Sequence, residues 1–269
     1  MDELDRLVAA VRENPKYREI SESLVRRVGA QELANTRSWK DAVKATRSKL
    51  HQVGGAYQEG GIRYPAWIEA LESLPRDLHH PESMDFCRRM MAAHASTKER
   101  LPLLDSFYME TLAAAAPLHS LLDVACGLNP LALAWMPAAA DMEYYACDIY
   151  EDMVDFLNRF FVHFGVTGRA WVCDLTAEIP AQPAQVALAL KTIPCLEQLD
   201  KRIGPRLLEG LPADMLLVSF PARSLGGRGK GMPEFYAAHF QELVEGQDWQ
   251  VQRFLFSTEL AFAVQKPAR

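Results

Sequence analysis

Residues 120–133, SLLDVACGLNPLAL, decide how the rest of the chain is read. SLLDV is an apolar run interrupted by one carboxylate and reads as a buried strand; ACG is a turn of small residues; LNPLAL opens an apolar helix. At the end of the first strand of an open parallel sheet, such a turn brings a ligand against the backbone. A turn that wraps a pyrophosphate carries three glycines. Here there is only Gly127.

Further apolar runs at 143–147, 169–173, 186–190 and 215–220 alternate with helical segments, the pattern of parallel βαβ units. WQVQRFLFSTELAFAVQK (249–266) alternates over two runs joined near Ser257 and Thr258, which predicts a closing antiparallel hairpin. Five parallel strands closed by a hairpin are the build of Rossmann-like class I S-adenosylmethionine-dependent methyltransferases, so the expected fold is α/β of that class. Asp123 falls inside strand one, Asp148 at the tip of strand two and Asp174 at the tip of strand three. A carboxylate after strand two accepts two hydrogen bonds from a ribose diol, and one after strand three can accept from an adenine amino group. NAD needs the three-glycine turn for its phosphates. S-adenosylmethionine carries no phosphate, and the single glycine of ACGLNP suits it. Taken singly, each Asp also fits a helix N-cap.

From residue 1 to about 115 the chain is helical in pattern, with about five helices expected, among them 83–94 and 96–112. Residues 1–115 are therefore expected to form a helical N-terminal subdomain, and residues 116–269 the methyltransferase domain. The whole chain has a net charge of −6, but the first 100 residues carry 17 Lys and Arg against 15 Asp and Glu, and the remainder 12 against 20. Lys40, Lys44 and Arg47 recur along one helical stretch, either a solvated face or a surface for phosphates. No apolar run approaches the ~18 residues of a membrane span, and the N-terminus is charged; a cytoplasmic protein is expected. The five cysteines lack metal-ligand spacing, so they read as reduced thiols and no metal is expected.

HASTKERLPLLDSFY (94–108), LLDVACGLNPLA (121–132), LALKTIPCLEQ (188–198) and VSFPARSLGGRGKGM (218–232) resemble the aminoglycoside-resistance 16S rRNA (guanine(1405)-N(7))-methyltransferases over nearly the whole chain. The resemblance implies S-adenosyl-L-methionine as cofactor, the 30S ribosomal subunit as partner, a monomer, and resistance to gentamicin- and kanamycin-type drugs. It places Arg100 on the cofactor carboxylate, His94, Ala95 and Ser96 along the same edge, and Tyr57 as an aromatic lid residue. Ala125 and Gly127 form the turn, Asp148 is the ribose ligand, Asp174 and Leu175 contact adenine, and Leu190 and Gln198 complete the set.

Methyltransferases acting on exocyclic amines often carry [DN]-P-P-[YF] after strand four; this chain has LKTIPCL. Guanine N7 is an in-plane lone pair with no proton to lose, so positioning replaces a general base. Lys191 is expected to meet a phosphate or base edge, with a solvent-facing lysine as the alternative, and Glu197 to offset the product's positive charge. Pro194-Cys195 also matches the Pro-Cys of cytosine-C5 methyltransferases, whose thiolate adds to the base; a buried apolar cysteine is the simpler reading. RSLGGRGKG (223–231) lacks the Ser or Thr and the earlier Gly of a Walker A loop. Its Arg223, Arg228 and Lys230 instead suit an RNA backbone. The competing functions are an adenine-1408 N1 rRNA methyltransferase, a small-molecule methyltransferase and a non-catalytic RNA-binding module.

Overall fold

Short helices begin the chain, several started by side-chain caps. α1 (Glu3–Arg12) opens with a capping box between Asp2 and Asp5. After α2 (Glu22–Asn35) comes α3 (Trp39–Leu50), where the Ser38 hydroxyl accepts the Asp41 N–H at 3.2 Å. A π-helical turn (His51–Gly55) ends this run. Then follow α4 (Tyr64–Glu72), α5 (Pro81–Met91), α6 (Ala95–Arg100) and α7 (Leu104–Thr111). The single helix expected over 96–112 is thus two, joined by a 3-10 turn at Leu101–Leu103. Pro102 is the physical reason: it has no N–H to give, and its ring crowds the carbonyl four residues back.

The strands are β1 (Leu118–Val124), β2 (Ala138–Asp148), β3 (Thr167–Val172), β4 (Ala184–Leu190), β5 (Ala213–Pro221), β6 (Gln250–Leu255) and β7 (Glu259–Gln265). Between them lie α8 (Glu151–Phe164), α9 (Ile193–Leu196), α10 (Ile203–Gly210) and α11 (Met232–Leu243). In this computed structural model, which describes residues 2–55, 62–223 and 231–267, they form one sheet of order β3-β2-β1-β4-β5-β7-β6. β1 to β5 run parallel, and β7 slots antiparallel between β5 and β6. The apolar helix expected after β1 is a 3-10 segment, Asn129–Trp135, opened by Pro130 and almost wholly buried.

Residues of opposite parity face opposite sides of a strand, and each side has its own core. Leu121, Tyr144, Leu188 and Leu217 pack with Leu7, Leu24, Val25, Phe86 and Phe107 of the N-terminal helices and with Phe156 and Phe160 of α8. Leu122, Val124, Ala187 and Leu216 pack with Leu207 and Leu208 of α10 and Phe240 and Leu243 of α11. The N-terminal helices therefore cover a face of the sheet and share its core. They are also stitched to the tip of β2 by backbone: Ser21 N–H donates to Ile149 C=O at 2.8 Å, and Glu151 N–H to Glu19 C=O at 2.8 Å.

Candidate active site

β1 is flanked by β2 on one side and β4 on the other, so the crossovers diverge at its carboxyl end, where open α/β sheets bind ligands. Left-handed backbone concentrates there. Ala125 has φ +49°, Gly127 +52° and, at the end of β4, Lys191 +57°. For a non-glycine residue that conformation costs about 1–3 kcal/mol and persists only where the surroundings enforce it. At Gly127 a Cβ would come within 2.8 Å of the His94 imidazole, so the close approach requires glycine.

These turns open onto a cleft. Ala125 and Cys126 form one wall, Asp148, Ile149 and Tyr150 a second, and Cys173, Asp174 and Leu175 a third. Leu190, Lys191, Thr192 and Cys195 close the side beyond β4. The N-terminal helices add Leu24, Val53, Gly54, His94 and Ser96.

Backbone donors orient the ribose-type carboxylate. Gly127 N–H donates to Asp148 Oδ2 at 2.9 Å and Ile149 N–H to Oδ1 at 2.7 Å. Burial raises the Asp148 carboxyl above its ordinary range, and these N–H groups pull the other way. Asp174 is paired with Arg27 of α2, Nε to Oδ2 at 2.8 Å. Asp123 lies behind the turn, where its Oδ2 accepts from Asn129 Nδ2 at 2.8 Å and the Tyr144 hydroxyl at 2.7 Å. Burial pushes the Asp123 carboxyl up to about 7 against those two bonds.

A buried ion-pair network underlies the far wall. Arg100 is wholly buried; its Nε and Nη2 pair with Glu259 at 3.0 and 2.7 Å, and its Nη1 meets Asn129 Oδ1 at 2.9 Å. Tyr108 and Ser219 hydroxyls join through Asn129 and Glu259. Lys191 Nζ lies 2.6 Å from Glu99 and 3.6 Å from Glu259. Burial, with Arg100 and Lys191 close by, depresses the His94 imidazole to about 4, so it is neutral at pH 7.

Of the residues singled out in the sequence, the fold brings His94, Ser96, Ala125, Asp148, Asp174, Leu175, Leu190 and Lys191 to one cleft. Ala95 is buried beside it, and Gly127 stands behind it on His94 and Asp148. Arg100 is wholly buried with its fork on Glu259 and is not among the residues that line the cleft. Lys191 departs from the solvent-facing reading: it is 6% exposed, lines the cleft and is ion-paired with Glu99. Gln198 is exposed, outside the cleft, and donates to Pro194 C=O at 3.3 Å. Glu197 also lies outside, held by His239 at 2.8 Å. Tyr57, Arg228 and Lys230 lie outside the described residues. Lys40, Lys44 and Arg223 are exposed, whereas Arg47 reaches back to the Ala10 carbonyl.

Sequence reasoning missed Glu259, Glu99, Arg27 and Tyr150. Tyr150 had a local signal, two residues past Asp148. The other three are polar residues whose partners are distant in the chain.

Strand order, a small left-handed turn at the switch point and carboxylates on the next two strand tips define a Rossmann-like methyltransferase. The chain belongs to the ribosomal RNA methyltransferase (FmrO) family, whose model matches residues 13–263. It is 34% identical to the 16S rRNA (guanine(1405)-N(7))-methyltransferase of Micromonospora rosea over 98% of this chain and 97% of that protein. With the enzyme of the same name from Serratia marcescens it shares 34% over 93% of this chain and 94% of that one. The crystal structure of the 16S rRNA methyltransferase RmtF in complex with S-adenosyl-L-homocysteine is 33% identical, with a TM-score of 0.85 over 99% of this chain and 100% of that one. The 16S rRNA methylase RmtB is 27% identical, with a TM-score of 0.79 over 98% of each chain.

Proposed function

We propose that this chain methylates N7 of guanine 1405 in 16S rRNA within the 30S subunit, using S-adenosyl-L-methionine, and thereby confers aminoglycoside resistance. The observation that carries the reading is the opening of Asp148 and Asp174, on adjacent strand tips, onto one cleft whose turn is built from Ala125 and Gly127. Its names come from relatives that match over nearly the full chain.

The residues present fit the cofactor. Asp148, fixed by two N–H groups, has lone pairs left for a ribose diol. Leu175 and Ile149 give apolar walls for a purine, and the Ala125 turn lets a thioether chain approach the backbone. When bound, the cofactor supplies an electrophilic sulfonium methyl. His94 and Ser96 line the edge on which the resemblance sets the carboxylate, and Arg100, buried on the same helical segment, fixes that edge through its pair with Glu259. His94, its imidazole depressed to about 4, is a weak base, and Lys191 is ion-paired with Glu99. No base is needed for an N7 lone pair, and the work left to the chain is orientation.

Exposed Lys40 and Lys44 on α3 and Arg223 after β5 supply cations for the rRNA backbone, and Arg228 and Lys230 extend that set in sequence. The test is chemical. N7-methylguanosine has a labile ring and glycosidic bond, so reduced, aniline-treated 16S rRNA from cells expressing the protein should break at guanosine 1405. Methyl incorporation without that cleavage rejects the N7 assignment and favours the adenine-1408 alternative. Cys195 is not the buried cysteine expected, being partly exposed and on the cleft, so the cytosine reading has its own check: Cys195→Ala should keep most methyl transfer, since an N7 lone pair needs no covalent adduct with the enzyme.

A further inference from the structure

Arg27 stands on α2 one turn beyond Leu24, which lines the cleft, yet Arg27 itself does not. Its guanidinium grips Asp174 with Nε on Oδ2 at 2.8 Å and Nη2 on Oδ1 at 3.2 Å, and Nη2 also reaches the Thr176 hydroxyl. Oδ1 further accepts the Thr176 N–H at 3.0 Å and the Thr176 hydroxyl at 2.6 Å. α10 steadies the same turn, with Arg206 Nη2 on Thr176 C=O at 2.8 Å.

A carboxylate oxygen offers about two lone-pair sites. Oδ1 is therefore saturated by the protein, whereas among the described residues Oδ2 accepts from Arg27 Nε alone. The Asp174 side chain is only 7% exposed and cannot turn without breaking the fork. It presents the cleft with one acceptor on one fixed oxygen. A ligand amine satisfies that acceptor; a ligand carbonyl in its place sets lone pair against lone pair, and both lose their bonds to water.

We propose that Arg27 is a positioning residue that makes Asp174 a one-acceptor reader of the cofactor's adenine amino group. The helical N-terminal part then takes part in selecting the cofactor as well as in covering the sheet. This inference rests on the reading of the cleft as an S-adenosylmethionine site.

The test compares S-adenosyl-L-homocysteine with its deaminated analogue S-inosyl-L-homocysteine, titrated calorimetrically into the full chain. Hypoxanthine carries a carbonyl where adenine has the amine, and an N1–H that an Oδ2 with both acceptor sites open could accept. The intact protein should prefer the adenine ligand by about ten-fold or more. Arg27→Gln should bring that ratio toward one, because Thr176 still holds Oδ1 while Oδ2, released from Nε, gains a second acceptor site that can serve either base. Arg27→Lys keeps a cation without the fork and should give an intermediate ratio. It also decides the matter if Arg27→Gln does not fold. A merely structural arginine would lower melting temperature or weaken both ligands alike, leaving the ratio unchanged in either variant, and that result overturns the proposal. If the intact protein binds neither ligand, the cofactor reading itself fails and the inference falls with it.

Discussion

Arg100 and Glu259, 159 residues apart, form a two-bond ion pair in which neither side chain is exposed. The pair ties α6 to the first residue of β7, and Thr258 strengthens the junction by donating its hydroxyl to Glu99 C=O at 2.9 Å. The wall of the cleft that carries His94 and Ser96 is thereby anchored to the closing hairpin.

Glu259→Gln leaves the Arg100 guanidinium buried without a counter-charge and should destabilise the fold by about 3–5 kcal/mol, read from urea unfolding. Burial pushes the Glu259 carboxyl up, but Arg100 and Lys191 outweigh it and hold it below its ordinary value. A depressed folded pKa stabilises above the unfolded carboxylate value of about 4.3, and that stability is lost as pH falls through the folded value. The variant should therefore lose less stability than the parent below about pH 4.

Asp123 has the opposite sign. With its carboxyl raised to about 7, the folded state keeps a proton that the unfolded chain releases near pH 4. Its contribution falls as pH rises from about 4 to about 7 and is level above. In Asp123→Asn the amide oxygen can still accept from Asn129 and Tyr144. The stability of this variant relative to the parent should rise across that window, checked by thermal melts at pH 5 and pH 8. A constant difference would show that Asp123 does not titrate there.

Asp148→Ala removes the acceptor held by the Gly127 and Ile149 N–H groups. S-adenosyl-L-homocysteine affinity should fall by about ten-fold or more, since charged hydrogen bonds contribute about 1.5–3 kcal/mol each. Calorimetry on the folded variant checks this; unchanged affinity would remove Asp148 from the cofactor site.

Lys40 and Lys44 are exposed on α3, while Arg47 is engaged with Ala10 C=O. Lys40→Ala with Lys44→Ala should weaken 30S binding and lower its salt slope by about two, leaving cofactor affinity unchanged. Arg47→Ala should instead cost stability. Filter binding over a salt series separates the two, and an unaltered slope in the double variant would make the α3 face a solvated surface only.

What the sequence determined by itself is what depends on near neighbours. Apolar runs and their period placed the five parallel strands and the hairpin, because burial on both faces leaves a continuous apolar stretch. The small residues of the ACG turn and the carboxylates Asp148 and Asp174 were legible because strand ends are local events that the topology then gathers at one edge. Even the break at Pro102 was written locally, though the expected helix ran through it. Only the tertiary structure decided which charges meet. Arg27 finds Asp174 147 residues away, and Lys191 finds Glu99 across 92. Arg100 finds Glu259 because β7 inserts beside β5. The energy of an ion pair depends on distance in space and on the water excluded around it, and neither quantity has a period in the sequence.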